Sequence, residues 1–465
     1  MIACSAEPAS FRDPSGHVFV QGERVFRTVM RRAAADYEFI RDHGLLERLA
    51  EEGRLVASTE VDPDLLGLAE DVRYLLEHPR IGYVSFPYEW SFPALKAAAL
   101  LHLDLHLDLL EHGATLSDAS AYNVQFQGPR PIFIDVLSLR RYREGEYWLG
   151  HRQFCEQFLN PLLLRALAGV PHNAWYRGSL EGIGVLEIDR LLPLRRKLSW
   201  NVISHVVLQA KLHRAAIAKP QAQIDKVRGR QLSRTAFGGL LGQLRRWIAR
   251  LEPADTGPTV WGGYAESHSY DSEEERAKRR FVAEFVERIR PRLLFDLGCN
   301  TGDYAALALE AGAGSVVGFD SDQRALETAF ARAAAADLAF LPLYLDAANP
   351  SPDQGWQQTE RSGFGRRAKA EALLALAFEH HLAIGRNVPL DQTVAWLTGL
   401  APRGVIEFVP KADPTVDRML ALREDIFADY DEAAFTRCLT GVARVVRSEI
   451  VSAHGRRLFW YDRSH

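Results

Sequence analysis

The second half of the chain alternates short apolar runs with longer amphipathic stretches. Residues 292–297 (Arg-Leu-Leu-Phe-Asp-Leu) form an apolar run that ends in a glycine-rich turn. Residues 303–311 predict a helix, stopped by Gly312 and Gly314. Residues 315–320 predict a second buried strand, and 323–336 an alanine-rich helix. Strands three to five are expected at 339–345, 372–378 and 404–409, with a closing pair at 444–451 and 457–461. Strands alternating with helices imply a parallel α/β sheet with right-handed crossovers. The last two strands, separated by only five residues, are expected to pair antiparallel.

The first half is patterned differently. Residues 81–86 read as a strand. Residues 101–110 alternate apolar and polar, which alone suggests a strand. Ser91 ahead of Pro93, and Gly113 some 20 residues later, are helix punctuation, so a helix is expected over 92–112. His102 and His106 fall four apart on it. Without a third ligand, a surface or groove position is expected for them rather than a metal site.

Between residues 219 and 252, Lys219, Lys226, Arg228, Arg230, Arg234, Arg245, Arg246 and Arg250 face only Asp225 and Glu252. Breaker residues follow at 253–258. The expected division is a first domain at 1–218, a basic helical connector and loop at 219–258, and a second domain at 259–465. The basic run is either a solvated helix face or a surface for an anionic partner.

Composition narrows the class. The chain has 465 residues, 56 Lys+Arg and 60 Asp+Glu, a formal net charge of −4. This balance argues against dedicated nucleic-acid binding. An apolar content of 47% argues against extensive disorder. The cysteines, Cys4, Cys155, Cys299 and Cys438, are too far apart for a C-x-x-C pair and suit a reducing compartment. There is no signal-peptide pattern and no apolar window long enough for a transmembrane helix, so a cytoplasmic protein is expected.

In an open parallel sheet, ligands bind beyond the carboxyl ends of the strands. The first such end carries Asp296-Leu-Gly298-Cys299-Asn300-Thr-Gly302. Gly298 and Gly302 allow the backbone close to a ligand. Asp320 ends strand two, where an acid can accept both ribose hydroxyls. The sequence from Asp296 to Gly302 resembles the first motif of class I S-adenosylmethionine-dependent methyltransferases, with Asn300 at the middle glycine. The resemblance implies a Rossmann-like seven-stranded methyltransferase sheet. It also implies that Gly298, Asn300 and Gly302 line the methionine part of S-adenosylmethionine, that Asp320 holds the ribose, and that Asp346, after strand three, faces the adenine. The bland reading is that Asp320 or Asp346 caps a helix.

A wider resemblance rests on Trp261-Gly-Gly-Tyr264, Tyr270, Lys278, Phe378-Glu-His380-His381-Leu, Asn387-Val-Pro389-Leu and Ile406-Glu407-Phe-Val-Pro410-Lys. These are similar to a bacterial methyltransferase group that includes nodulation-type proteins. Just after strand four, His380 or His381 is a candidate base, because histidine titrates near neutrality. The alternative is that both are structural.

In the first half, Asp118 and Asn123 stand five apart, and a short hairpin then leads to an apolar strand ending in Asp135. This resembles a protein-kinase or small-molecule-kinase catalytic core. The resemblance implies that Asp118 orients a hydroxyl and that Asn123 and Asp135 hold magnesium with ATP. Leu116-Ser117 stands in place of the usual His-Arg, and no glycine follows Asp135 closely. Asp13-Pro-Ser-Gly16 is only a stub of a glycine-rich loop. No lysine is available on the third strand, where Arg24 or Arg27 would have to serve. A degenerate α+β kinase-like domain is therefore expected.

The expected function is methyl transfer to a small-molecule or glycan acceptor that the first domain binds or presents. The alternatives are a bifunctional kinase-methyltransferase and a non-catalytic S-adenosylmethionine-binding regulator.

Overall fold

A computed structural model describes residues 5–67, 71–218, 231–254, 257, 273–421 and 423–464. The stretches around Trp261, Tyr264 and Tyr270, and residues 219–230 of the basic run, lie outside the described residues. The chain forms two compact units. One comprises Met1–Phe126, Arg130–Thr256 and Asp353–Arg361; the other comprises Gln127–Pro129, Gly257–Pro352 and Ser362–His465.

The first unit opens with an antiparallel sheet of β1 (Ser5–Ala6), β2 (Val18–Gln21), β3 (Arg24–Met30), β4 (Thr59–Val61) and β5 (Val72–His78), in the order β1-β2-β3-β5-β4. The helix Phe92–Glu111 follows, with Ser91 extended at its N-cap and Pro93 in its first turn. Its alternating segment is helical because leucines and small residues are buried nearly all round it, so periodicity is a poor guide here. Two short hairpin-like pairs complete this region: β6 (Ala114–Leu116) with β9 (Leu139–Arg141), and β7 (Val124–Gln127) with β8 (Arg130–Phe133).

Three expectations fail here. Residues 81–86 are not a strand. Pro79, Gly82 and Pro87 interrupt regular pairing, and the backbone of Ser85 is satisfied instead by the Gln125 side-chain amide, at 2.9 Å in both directions. His102 and His106 are not at the surface. Both are buried, and His102 lies against the rings of Phe133, Trp148, Phe154 and Phe158. His106 shares a hydrogen bond with Thr115 Oγ1 at 2.7 Å.

The basic helix is not a connector. Arg234–Ala249 begins at Ser233, whose hydroxyl accepts the Ala236 N–H, and it buries Phe237, Leu241, Leu244 and Ile248. This near-heptad stripe packs on the first unit. Arg245 pairs with Asp104, and Arg234 donates to the Glu111 carbonyl at 2.7 Å. These cations serve the helix Phe92–Glu111.

The second unit carries a sheet of β10 (Leu294–Leu297), β11 (Val316–Asp320), β12 (Phe340–Tyr344), β13 (Ala372–Ala375), β14 (Arg403–Phe408), β15 (Arg444–Ile450) and β16 (Arg457–Asp462). Among the described residues their order is β12-β11-β10-β13-β14-β16-β15. The first five are parallel; β16 pairs antiparallel with both β14 and β15. Leu294 is in register with Val316 on one side and Ala372 on the other. The strand order therefore reverses at β10, which is where such sheets open a crevice. The fold is mixed α/β. Strand four ends at Ala375, three residues before the expected limit. Ala377 turns with φ +47°, and a short helix, Glu379–Ala383, follows.

The packing of the helix Arg234–Ala249 sets the first expected outcome. Leu241→Ala should destabilise the first unit by about 2–5 kcal/mol, the usual cost of a large-to-small core change. Chemical denaturation followed by circular dichroism checks it. A change below about 0.5 kcal/mol would return this helix to the role of an exposed connector.

Candidate active site

At the carboxyl end of the parallel strands, the second unit encloses a cavity of about 980 Å³. The turn after β10 forms its floor. Gly298 takes φ +74°, and a Cβ there would sit 3.1 Å from the Phe378 ring. Asn300 also takes a left-handed conformation, at φ +47°, which asparagine tolerates better than most residues. Its side-chain oxygen has no hydrogen-bond partner among the described residues.

Gly302 differs from expectation. It is not part of the cavity wall. It has φ +83°, and a Cβ would lie 2.5 Å from the Phe340 ring. Its smallness lets the turn pack on β12 instead of admitting a ligand.

Asp320, at the end of β11, faces the cavity and is held from behind. Its Oδ2 accepts the Asn300 N–H and its Oδ1 the Asp322 N–H, both at 2.9 Å. Burial raises its carboxyl pKa, and those amides oppose the rise. It is Asp322, not Asp320, that caps the next helix, accepting from Arg324 and Ala325.

Asp296 sits within β10 and is buried. Its Oδ2 has no partner among the described residues. Burial, then the charges of Asp320 and Asp303, push its carboxyl up to about 7. Cys299 also lines the cavity, but burial, then the charges of Asp320 and Asp296, push its thiol well up, so it is not an activated nucleophile. Asp346 lines the cavity while accepting the Ala348 N–H at 3.2 Å, with Arg386 at 3.5 Å. It therefore has a turn-capping role as well as exposure to the cavity.

His380 and His381 both line the opposite wall. Their ring centroids lie 4.1 Å apart. His380 is buried, and neither ring nitrogen has a hydrogen-bond partner among the described residues. The expectation of near-neutral titration is corrected. Burial, then the His381 and Arg456 charges, drives His380 well below its usual range. Burial, then Arg456, takes His381 down to about 4. Both are neutral at pH 7. Glu379 points elsewhere: its Oε1 accepts the Tyr430 hydroxyl at 2.7 Å and the Val409 N–H at 3.1 Å. Burial pushes this carboxyl up to about 8 despite those bonds.

Sequence reasoning missed the charged lattice behind the histidines. Lys278 pairs with the fully buried Glu407 at 2.9 Å, and the same Glu407 oxygen accepts the Ala377 N–H at 2.8 Å. Arg456 grips Asp413 through two bonds of 2.6 and 2.9 Å. Asp413 and Arg456 are 43 residues apart in unremarkable loops, so no local pattern marks them. Lys278 and Glu407 both lie in the motifs of the wider resemblance, but their pairing is not legible from spacing.

In the first unit, Asp118, Asn123 and Asp135 come together. The Asn123 amide donates to Asp118 Oδ1 at 3.1 Å and to Asp135 Oδ2 at 3.2 Å. Ser138, missed from sequence, bridges the two carboxylates, 2.9 Å from Asp118 and also hydrogen-bonded to Asp135. Burial, then the Asp135 charge, pushes Asp118 up to about 6. Arg27, on β3, lies 2.7 Å from Asp135 Oδ1 and 2.7 Å from Asp13. Arg24 faces Glu77 instead. Asp135, Asn123 and Ser138 thus already satisfy one another, and a guanidinium supplies the positive charge. These donors do not fit a divalent metal as they stand. No group of three His, Cys, Asp or Glu among the described residues is placed to hold one.

The buried acids make apo stability depend on pH. Asp296 rises from an ordinary 3.8 to about 7 in the folded chain, and Glu379 from 4.5 to about 8. Folding therefore favours their protonated forms. That contribution is complete below pH 4 and is lost as pH rises through 7 and 8, at up to about 1.4 kcal/mol per pH unit per group. Asp296→Asn should flatten the decline up to pH 7, and Glu379→Gln the part that extends to pH 8. Denaturant titrations between about pH 6.5 and 9, above the range in which the buried histidines titrate on unfolding, check this, and variants whose stability tracks wild type across that range would contradict it.

No family model matches the chain. The nodulation protein NoeA of Rhizobium meliloti (strain 1021) is 48% identical over 469 residues, spanning 100% of this chain and 98% of that protein. Likenesses to solved structures are partial. WbdD is 16% identical over 47% of this chain and 47% of its own, less than half its length, with a TM-score of 0.31. The N-methyltransferase NodS of Bradyrhizobium japonicum WM9 is 13% identical over 42% of this chain and 98% of its own, with a TM-score of 0.31. With close to half of its positions identical along its full length, the chain belongs to the family of nodulation protein NoeA.

Proposed function

We propose that the second unit binds S-adenosylmethionine at the β10–β11 edge and transfers its methyl group to a small-molecule or glycan acceptor. The observation that carries this reading is the placement of Asp320. Its two oxygens are fixed by backbone amides in the lining of a large cavity, beside Asp296, one of whose oxygens has no partner among the described residues, and the left-handed turn at Gly298 and Asn300. In this reading Asp320 accepts the ribose hydroxyls, Asp346 borders the adenine, and Asp296 and Gly298 border the methionine part.

S-adenosylmethionine supplies an electrophilic methyl on a positively charged sulfur. The chain's own work is orientation, water exclusion and proton handling. Asp296 and Asp320 give the cationic ligand a negative wall. His380 presents an unprotonated ring to the acceptor side, so it can accept a proton across the whole neutral range. Its depressed basicity limits it to an acceptor that is already acidic or already neutral.

A second reading concerns the first unit, where the convergence of Asp118, Asn123 and Asp135 favours a kinase-derived cleft. The Arg27–Asp135 pair argues that this cleft binds or presents the acceptor without magnesium-dependent phosphoryl transfer. A bifunctional kinase-methyltransferase would need Arg27 to vacate Asp135.

Asp320→Ala should weaken S-adenosylmethionine binding by about 1–3 kcal/mol in calorimetry, through loss of charge-assisted hydrogen bonds. Unchanged affinity with an intact fold would remove the ribose role. His380→Ala should lower labelled-methyl transfer to the acceptor by about 10²–10⁴-fold if the ring takes the proton, leaving S-adenosylmethionine affinity nearly unchanged. Wild-type turnover in that variant would leave orientation as the histidines' whole contribution. Calorimetry with Mg-ATP should give no heat of binding on the full chain; clear magnesium-dependent binding would favour the bifunctional reading.

A further inference from the structure

The first unit carries an apolar and basic surface that the proposed chemistry does not use. Leu194 is 82% exposed, Leu198 79% and Trp200 72%, within seven residues of one another. Leu191 and Ile203 are also exposed, and Leu208 and Leu212 form a half-exposed i,i+4 pair on the helix Leu208–Ala218. Single exposed apolar residues are ordinary, but this density along one stretch is not.

The charges of the same stretch are all of one sign. From residue 190 to 218 the chain has Arg190, Arg195, Arg196, Lys197, Lys211 and Arg214 and no carboxylate, in a protein whose net charge is −4. Lys197 and Arg214 both approach Asp189, at 3.4 and 2.7 Å. Arg195 and Arg196 lie between the two most exposed leucines, on the short helix Leu194–Leu198. The sequence immediately beyond adds Lys219, Lys226, Arg228 and Arg230 against Asp225 alone.

We infer that residues 190–212 form a peripheral docking surface for an anionic lipid bilayer. A protein partner with an apolar groove would bury the leucines but would leave cations interleaved among them to be desolvated. A bilayer interface accommodates both. Leucine and tryptophan enter the boundary between headgroups and acyl chains, while arginine and lysine stay at the level of anionic headgroups. Among the described residues no helix is long and apolar enough to cross a membrane, so this contact lies on the surface. It is independent of the proposed methyl transfer, whose cavity belongs to the second unit.

The test is sedimentation of the full chain with vesicles of phosphatidylcholine alone or with phosphatidylglycerol added. Wild type should pellet with the anionic vesicles, at least tenfold more than with the neutral ones, and high salt should release it. Leu194→Ser/Leu198→Ser/Trp200→Ser should lose most of this binding, and Arg195→Glu/Arg196→Glu should lose it separately. Both should keep the wild-type circular dichroism and S-adenosylmethionine affinity. Failure of wild type to bind anionic vesicles would overturn the inference. So would binding that both variants retain, or concentration-dependent self-association that the triple variant abolishes in the absence of lipid.

Discussion

The second unit depends on one short-range constraint: the turn after β10 is tied to the end of β11. The Gly298 and Cys299 amides donate to the Phe319 carbonyl at 2.8 and 3.1 Å, and the Asn300 amide donates to Asp320. Three successive N–H groups are therefore spent on the neighbouring strand. The backbone can meet that demand only by passing through left-handed conformations at 298, 300 and 302. Once the turn is so fixed, the floor of the cavity, the side-chain direction of Asp320 and the start of the helix Asp303–Glu310 are all set together. A residue with a β-branched side chain at 298 or 302 would break the constraint by strain as well as by collision.

The far wall is organised by charge burial. Glu407 lies on the interior of β14 with no exposure, and it is tolerated because Lys278 and the Ala377 amide meet one of its oxygens while Arg456 stands 3.7 Å from the other. The Ala377 contact fixes the turn that launches the helix bearing His380 and His381. Arg456, held by Asp413, adds positive potential that helps to keep both imidazoles neutral. The part of the cavity lined by the histidines is thus shaped by groups from segments near residues 278, 377, 407, 413 and 456. Removing one partner of such a buried pair costs more than the pair contributes, because the remaining charge is left in a poor solvent.

How much of this was legible in sequence follows from how local each feature is. The strands described in the second unit were readable because each is a short apolar run between breaker residues, and the parallel pairing of the first five followed from the alternation with helices. Asp320 was readable because strand length and the glycine turn fix its position. Gly302 was misread, since a glycine required by packing on Phe340 looks the same in sequence as one required by a ligand. The histidines' protonation was misread because it depends on Arg456, remote in sequence, and on burial. In the first unit, the approach of Asp118, Asn123 and Asp135 was expected from their resemblance to a kinase catalytic core, not from any local rule. The plug formed by Arg27 was not, because it joins β3 to a residue more than 100 positions away. The helix Arg234–Ala249 reads as part of a basic connector when the whole run 219–252 is weighed by charge, although Phe237, Leu241, Leu244 and Ile248 carry the spacing of a packed helix.

The two carboxylate clusters end in opposite electrostatic states, and that contrast bears on which of them awaits a ligand. In the first unit the chain supplies its own counter-charge. Arg27 lies against Asp135, the Asn123 amide donates to both acids, Ser138 bridges them, and there is little unmet demand for a cation. In the second unit Asp296 faces Asp320 and Asp303, one of its oxygens has no partner among the described residues, and burial with those charges keeps its proton near neutrality. A cationic ligand entering there would lower the cost of ionising Asp296 and displace that proton, so its binding would strengthen as pH rises toward 7. An anionic ligand would show the reverse, and a neutral one would gain nothing from the ionised acid. S-adenosylmethionine carries a sulfonium and an ammonium, and its demethylated product lacks the sulfonium. In the proposed reading, the buried acid would favour donor over product on electrostatic grounds.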